Sequence, residues 1–258
     1  LKFGKAGVIF TCSIIIALFK NPVGAANIDY IDKLVAGQNV VSKDIRNFLI
    51  RTNLSQLWLK TESNNIYGFI GNNYQRLQIK ILKIKQDDNN KTLYHIFGKD
   101  KVNERVTDFK GTFKVISAFK TKDMEKEGKD TGILIGEYIL YENKNKPKSG
   151  FFKGRFITYW YKDDKGKIFY DDICAIVDDF SNNQFVGIWK SYKDKVGKKC
   201  NWGDYRIPDS EEFDNGACEF CPDEKYEIYG WKNYNDAYFR QNENSQKAKQ
   251  IELEEWWK

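Results

Sequence analysis

Chemistry could start in this sequence from its cysteines, its one histidine, its carboxylates, or the dense segment CNWGDYRIP at 200–208. Apart from Cys12, which lies in an apolar N-terminal run, the cysteines are Cys174, Cys200, Cys218 and Cys221. In an oxidising compartment four thiols read first as two disulfides, with three possible pairings. Free buried thiols are the next reading. Cys218 and Cys221, in ACEFCP, have the spacing of half a zinc knuckle, but Cys174 and Cys200 lie 26 residues apart and form no second one. A redox dithiol would need a βαβ setting that nothing nearby supplies. No metal or cofactor is expected.

His95 stands in the run TLYHIF. On a strand it would share a face with Leu93 and Phe97, the setting of a hydrogen-bonded core histidine. A single histidine rules out hydrolysis through several histidine metal ligands, and no Gly-x-Ser-x-Gly turn accompanies it. Carboxylates remain. Asp171-Asp172, Asp178-Asp179, Glu211-Glu212 and Asp214 are the acids from which a glycosidase would draw two, about 5–10 Å apart. Adjacent acids on a strand face opposite ways, and acids in turns face solvent. Asp178-Asp179 beside Ser181-Asn182-Asn183 does not match a calcium loop. No residue is assigned a catalytic role.

The segment at 200–208 offers more. Trp202 and Tyr205 present flat apolar surfaces of the kind used against sugars and hydrophobic ligands, and Asp204 and Arg206 present directional hydrogen bonds. Gly203 would let the backbone turn so that these side chains converge. Trp202, Asp204, Tyr205 and Arg206 are therefore the candidate ligand-binding residues. The competing reading pairs Asp204 with Arg206 locally and makes Trp202 a plug at one barrel end.

These residues must be positioned by strands. Leu77, Ile79 and Ile81 alternate with Gln78 and Lys80, and Phe109, Gly111, Phe113 and Val115 alternate with Lys110, Thr112 and Lys114. That period of two puts the apolar set on one sheet face and the lysines in water. Further strand-like runs cover 93–97, 132–142, 151–161, 167–177 and 184–192, separated by polar clusters at 87–90, 143–150, 163–166 and 178–183. Short connections imply antiparallel neighbours, and eight or more such strands remove their exposed edges by closing. The expected fold is all-β: an antiparallel meander closing into a barrel of the lipocalin-like (calycin-like) or a related type, in one domain over 53–240. Short helices are expected at both ends. One lies within 27–52, with Ser42 as N-cap before Ile45, Phe48 and Leu49; the other covers 241–258, with Ser245 as cap and Trp256-Trp257 packed onto the body.

The pattern large-x-Gly-x-aromatic recurs as Phe109-Gly111-Phe113, Leu134-Gly136-Tyr138, Phe152-Gly154-Phe156 and Phe185-Gly187-Trp189. A glycine between large residues leaves a gap that a ring covers and lets the strand coil. The pattern resembles MORN repeats, without their regular period or second glycine pair, and no function is carried over from them. The phrases GKDKVNERVTDFKGTF, SGFFKGRF, NNQFVGIWKSY and KCNWGDYRIP, spread over 98–208, resemble secreted β-rich proteins of Gram-negative bacteria that have no assigned activity. That resemblance implies export and a β-rich domain, and transfers no site.

Residues 1–26 read as an export signal: Lys2 and Lys5, then the apolar VIFTCSIIIALF, then Val23-Gly24-Ala25-Ala26. The apolar stretch is too short to span a bilayer, which takes about 20 residues, so the mature chain is expected to have no transmembrane span. Lys2, Lys5 and Lys20 leave with the signal and no acid does, so 39 basic residues face 36 acidic ones and the net charge falls from +6 to +3. With that near balance no nucleic-acid partner is expected. Aromatic residues at 16% exclude wholesale disorder. The expectation is a secreted or periplasmic barrel that binds a small apolar or glycan ligand, or an envelope protein. Its competitors are a carbohydrate-active hydrolase using two carboxylates and a structural module of the envelope.

Overall fold

The computed structural model describes residues 22–122, 126, 128–177, 179–217 and 219–258, with the side chains of the first helix described from Tyr30 onward. The expected signal segment up to residue 21, together with Asp178 and Cys218, lies outside the described residues.

Nine strands form one antiparallel sheet: β1 (Ile66–Ile70), β2 (Gln75–Gln86), β3 (Leu93–Val102), β4 (Arg105–Thr121), β5 (Asp130–Glu142), β6 (Gly150–Lys162), β7 (Ile168–Tyr170), β8 (Asn182–Ser191) and β9 (Lys198–Asp204). Each of β1 to β6 pairs with the next, β6 pairs with β8, β8 with β9, and β9 returns to β1. Eight strands thus close into a barrel without a free edge. The three-residue β7 pairs with β6 at Trp160–Lys162, beyond the stretch that β8 covers. The expected run over 167–177 is therefore a strand only as far as Tyr170, followed by turns. Two strands, β1 and β9, lie outside the expected runs. The turn at 87–90 forms as expected, with Asp87 Oδ1 accepting from the Asn89 and Asn90 amides.

The alternation places side chains as the sequence implies on β4 and at the start of β2. Leu77, Ile79, Phe109, Phe113 and Val115 point inward, and Lys110 and Lys114 are exposed. On β2 the period breaks at the bulge between Ile81 and Lys83: Lys80 is half-buried, and beyond the bulge Lys83 and Lys85 are exposed. On β3 the assignment reverses. Tyr94 and Ile96 are the buried residues and His95 is exposed, bound to Asp87 Oδ2 at 2.8 Å rather than set in the core. The interior is filled. Phe113, Phe156, Phe185 and Trp202 form a run of rings with centroids 5.2, 5.0 and 4.8 Å apart. Large rings need matching gaps, and the repeated glycines supply them. A Cβ on Gly136 would strike the Phe156 ring, and one on Gly154 or Gly187 would strike backbone of the facing strand and the Tyr138 hydroxyl.

One barrel end is stopped by the segment that precedes β1. Leu49, Leu54, Leu57 and Trp58 are buried in the barrel core. The Trp58 indole sits edge-on to Tyr94 at 4.9 Å and donates from Nε1 to Thr158 Oγ1 at 3.1 Å. Helices here are short: α1 (Pro22–Gly37) and α2 (Arg46–Leu49). Ser42 does not cap a helix. Its Oγ accepts from the Lys120 amide at 2.9 Å, while Asp44 Oδ1 accepts from the Arg46 and Ala118 amides, so residues 42–46 are tied to β4. α1 lies outside the barrel, where Ile31 is buried against Ile133, Ile135, Ile157 and Val186.

Strands end at Asp204, not near 240. The chain from 205 to 238 folds over the outside of β1, where Tyr67, Phe69 and Tyr74 pack with Phe213, Phe220, Tyr226, Trp231 and Tyr234. It holds α3 (Lys232–Tyr238), and α4 (Ser245–Glu252) follows with Asn244, not Ser245, as its N-cap. Among the described residues no helix is long and apolar enough to cross a membrane.

Candidate functional site

The four candidates at 202–206 do not converge. Trp202 is an inner-wall ring, 2% exposed, stacked on Phe185 and edge-on to Tyr138. Gly203 is needed for space rather than for turning: a Cβ there would meet the Gln184 amide and the Arg206 carbonyl. The turn falls at Tyr205, whose φ of +66° is left-handed, and its ring rests edge-on against Phe180. Arg206 leaves the barrel and binds Asp179, Asp214 and the Gly216 carbonyl.

Asp204 pairs not with Arg206 but with three neutral donors inside the barrel end. Thr61 Oγ1, Asn183 Nδ2 and Tyr170 OH donate to its Oδ2 at 2.5, 2.7 and 3.0 Å. Burial, opposed by these bonds, pushes its carboxyl up to about 7. At the opposite end Glu142 accepts from the Gly150 amide, Trp189 Nε1 and Arg105 Nη1 at 2.6, 2.8 and 3.0 Å. Asp100 lies beside it without a hydrogen bond, 3.9 Å from Arg105 Nη2, and burial together with the Glu142 charge holds its carboxyl well above the usual range. Asp100 and Glu142 are 0% and 2% exposed, so substrate could reach them only if the barrel opened.

The acids singled out in the sequence are engaged elsewhere. Asp171 binds Lys126, Asp172 faces Lys60, Glu211 binds Lys199, Glu212 faces Lys225, and Asp179 and Asp214 share Arg206. Cys174, Cys200 and Cys221 are free thiols, so no disulfide joins these three. Cys200 is fully buried in the barrel core, and burial raises its thiol pKa further, which makes it inert.

With the interior filled, the surface open to solvent is the outer wall. α1 covers part of β5, β6 and β8, and residues 205–238 cover β1. The wall across β2, β3, β4 and β5 carries a groove of about 860 Å³ lined by Lys83, His95, Phe97, Lys110, Thr112 and Tyr141. Register makes this a row. Lys83 pairs with Phe97, Phe97 with Lys110, Lys110 with Tyr141, Tyr141 with Phe151, and Phe151 with Lys190. Basic and aromatic side chains thus run side by side across six strands. The register depends on bulges at Ile81/Lys83 and Val115/Ser117. Tyr141 is 45% exposed and meets Phe151 at 6.0 Å, and Lys110 Nζ lies 5.9 Å from the Phe97 ring centroid. Among the described residues no carboxylate lies within ion-pair distance of Lys83, Lys110 or Lys190. The alternation in the sequence turns Lys110 outward, and the bulge at Ile81/Lys83 turns Lys83 outward against the period of Leu77, Ile79 and Ile81. The neighbours of these lysines lie on other strands.

No family model, no curated protein and no solved structure matches this chain.

Proposed function

We propose that this chain is an exported, non-enzymatic barrel that binds an acidic glycan along its outer wall, with Phe97, Tyr141 and Phe151 as stacking surfaces and Lys83, Lys110 and Lys190 as carboxylate partners. The observation that carries the reading is the basic–aromatic row across β2 to β8. Sugar rings present flat C–H faces to aromatic rings, and uncommitted ammonium groups attract carboxylates. Lys83 and Lys110 stand two strands apart, about 10 Å at the usual strand spacing, whereas one strand of duplex nucleic acid carries a phosphate about every 3.4 Å. The packed interior argues against an apolar ligand held inside, as a lipocalin would hold one. Export rests on the character of residues 1–26.

The test is calorimetric titration of the whole chain with polygalacturonate, dextran and a single-stranded oligonucleotide. Polygalacturonate should bind and weaken as salt is raised, and dextran should bind at least tenfold more weakly on this wall. Lys83→Glu with Lys110→Glu should cost at least tenfold in polygalacturonate affinity, about 1.4 kcal/mol. Equal affinity of that double variant, or tighter binding of the oligonucleotide, would overturn the proposal.

A further inference from the structure

A second cavity, of about 260 Å³, opens on the same wall where the C-terminal tail crosses β2. Two contacts fix the tail. Arg76 grips Glu252 through both oxygens at 2.8 and 2.5 Å, and Lys99 Nζ donates to the Trp257 carbonyl at 2.6 Å. Between these points the tail bridges the wall instead of lying flat on it. The space beneath is bounded by Ser63 and Asn64 ahead of β1, by Gln78 and Lys80 on β2, and by Trp256 and Trp257 on the tail. Lys80 Nζ lies 4.6 Å from the Trp257 ring centroid, and the two indoles meet edge to face at 5.6 Å. Lys80 thus occupies a face of Trp257, and among the described residues no such cation lies over the half-exposed Trp256 ring.

The polar lining has hydrogen-bonding capacity to spare. The side-chain amides of Asn64 and Gln78 line the cavity and make no hydrogen bond among the described residues. Both amides can donate and accept, as a vicinal diol requires. Charge then selects among polar ligands. Glu62, Glu254 and Glu255 ring the cavity against the single cation Lys80, so it disfavours a second carboxylate.

We propose that this cavity is a subsite for one uncharged hexopyranose unit, its C–H face on Trp256 and its hydroxyls on Gln78 and Asn64. This rests on the glycan reading above and adds a division of labour: the wall takes the acidic units of the chain, and the tail cavity takes a neutral one.

The experiment uses the full chain with methyl glucopyranoside as probe, read by ligand-observed saturation transfer and by tryptophan fluorescence. Millimolar glucoside should give a saturation signal in the wild type and in the Lys83→Glu/Lys110→Glu variant alike. Trp256→Ala and Gln78→Ala should each weaken it at least tenfold while leaving polygalacturonate affinity within twofold. Gln78→Ala is the check on folding, because its side chain holds nothing else in place. Absence of any glucoside signal in the wild type would overturn the subsite, as would both variants binding glucoside like the wild type. Polygalacturonate binding without glucoside binding would refute this subsite alone, and glucoside binding without polygalacturonate binding would refute the wall alone.

Discussion

Replacing Asp204 with asparagine should change how stability depends on pH more than it changes stability itself. Asp204 closes β9 at the stopped end of the barrel, 3% exposed, with its carboxylate answered by Thr61, Asn183 and Tyr170 and by no cation among the described residues. Burial pushes its pKa from 3.8 to about 7 against those hydrogen bonds. Below about pH 4 the folded and unfolded chains both hold the proton, and Asp204 is neutral in the balance. Between about 4 and 7 the unfolded chain releases the proton while the folded one keeps it, so stability falls as pH rises. Above about 7 both are ionised and the whole penalty is in force. The interval from 3.8 to about 7, at 1.36 kcal/mol per pH unit, amounts to about 4 kcal/mol. An asparagine side chain at this position would keep one acceptor oxygen and never ionise. Near pH 4 the substitution should cost only the loss of imperfectly matched hydrogen bonds, about 1–2 kcal/mol. Urea unfolding of both proteins between about pH 4 and 8 cancels every other titrating group in the difference. The difference should move in favour of Asp204→Asn by about 4 kcal/mol as pH rises. A pH-independent difference would refute the reasoning, because it would mean Asp204 ionises in the folded protein as easily as in the unfolded chain.

Two further outcomes test the packed interior. Trp202→Ala removes a ring stacked on Phe185 and edge-on to Tyr138 and should cost about 3–5 kcal/mol in denaturant unfolding, with polygalacturonate affinity unchanged. Gly136→Val must displace the Phe156 ring from the facing strand and should lower the thermal midpoint by several degrees, whereas Gly166→Val, in an open turn with nothing within 4 Å, should fail only through its left-handed backbone.

The barrel is legible where one strand face meets water. β4 shows its alternation because Lys110 and Lys114 stand outside while Phe109 and Phe113 stand inside. β1 shows none, because its outer residues Tyr67 and Phe69 are covered by the 205–238 segment, so both faces are apolar. β9 reads as a ligand segment because rings and charges stand close together at Trp202, Asp204, Tyr205 and Arg206. Asp204 is buried, and its hydrogen bonds come from Thr61, Tyr170 and Asn183, contacts that no local pattern encodes. His95 reads as internal because Leu93 and Phe97 share its face, yet both are half-covered outer residues. The candidate site is half legible: alternation turns Lys110 outward, whereas the bulge that turns Lys83 outward and the pairings that set rings beside both lysines leave no mark in the sequence.

The pairing of β1 with β9 has a kinetic consequence. Seven of the eight seams of the barrel join strands nearby in sequence, whereas this one joins Ile66 to Asp204. A chain emerging from its N-terminus can build the sheet hairpin by hairpin from β1 to β8, but it must hold the β1 edge unpaired until the final strand arrives. The same delay applies to Tyr67 and Phe69, whose covering segment is synthesised later still. During that interval an apolar, edge-exposed strand is open to other chains, and the folding yield at high concentration is set by how quickly residues 198–204 reach it.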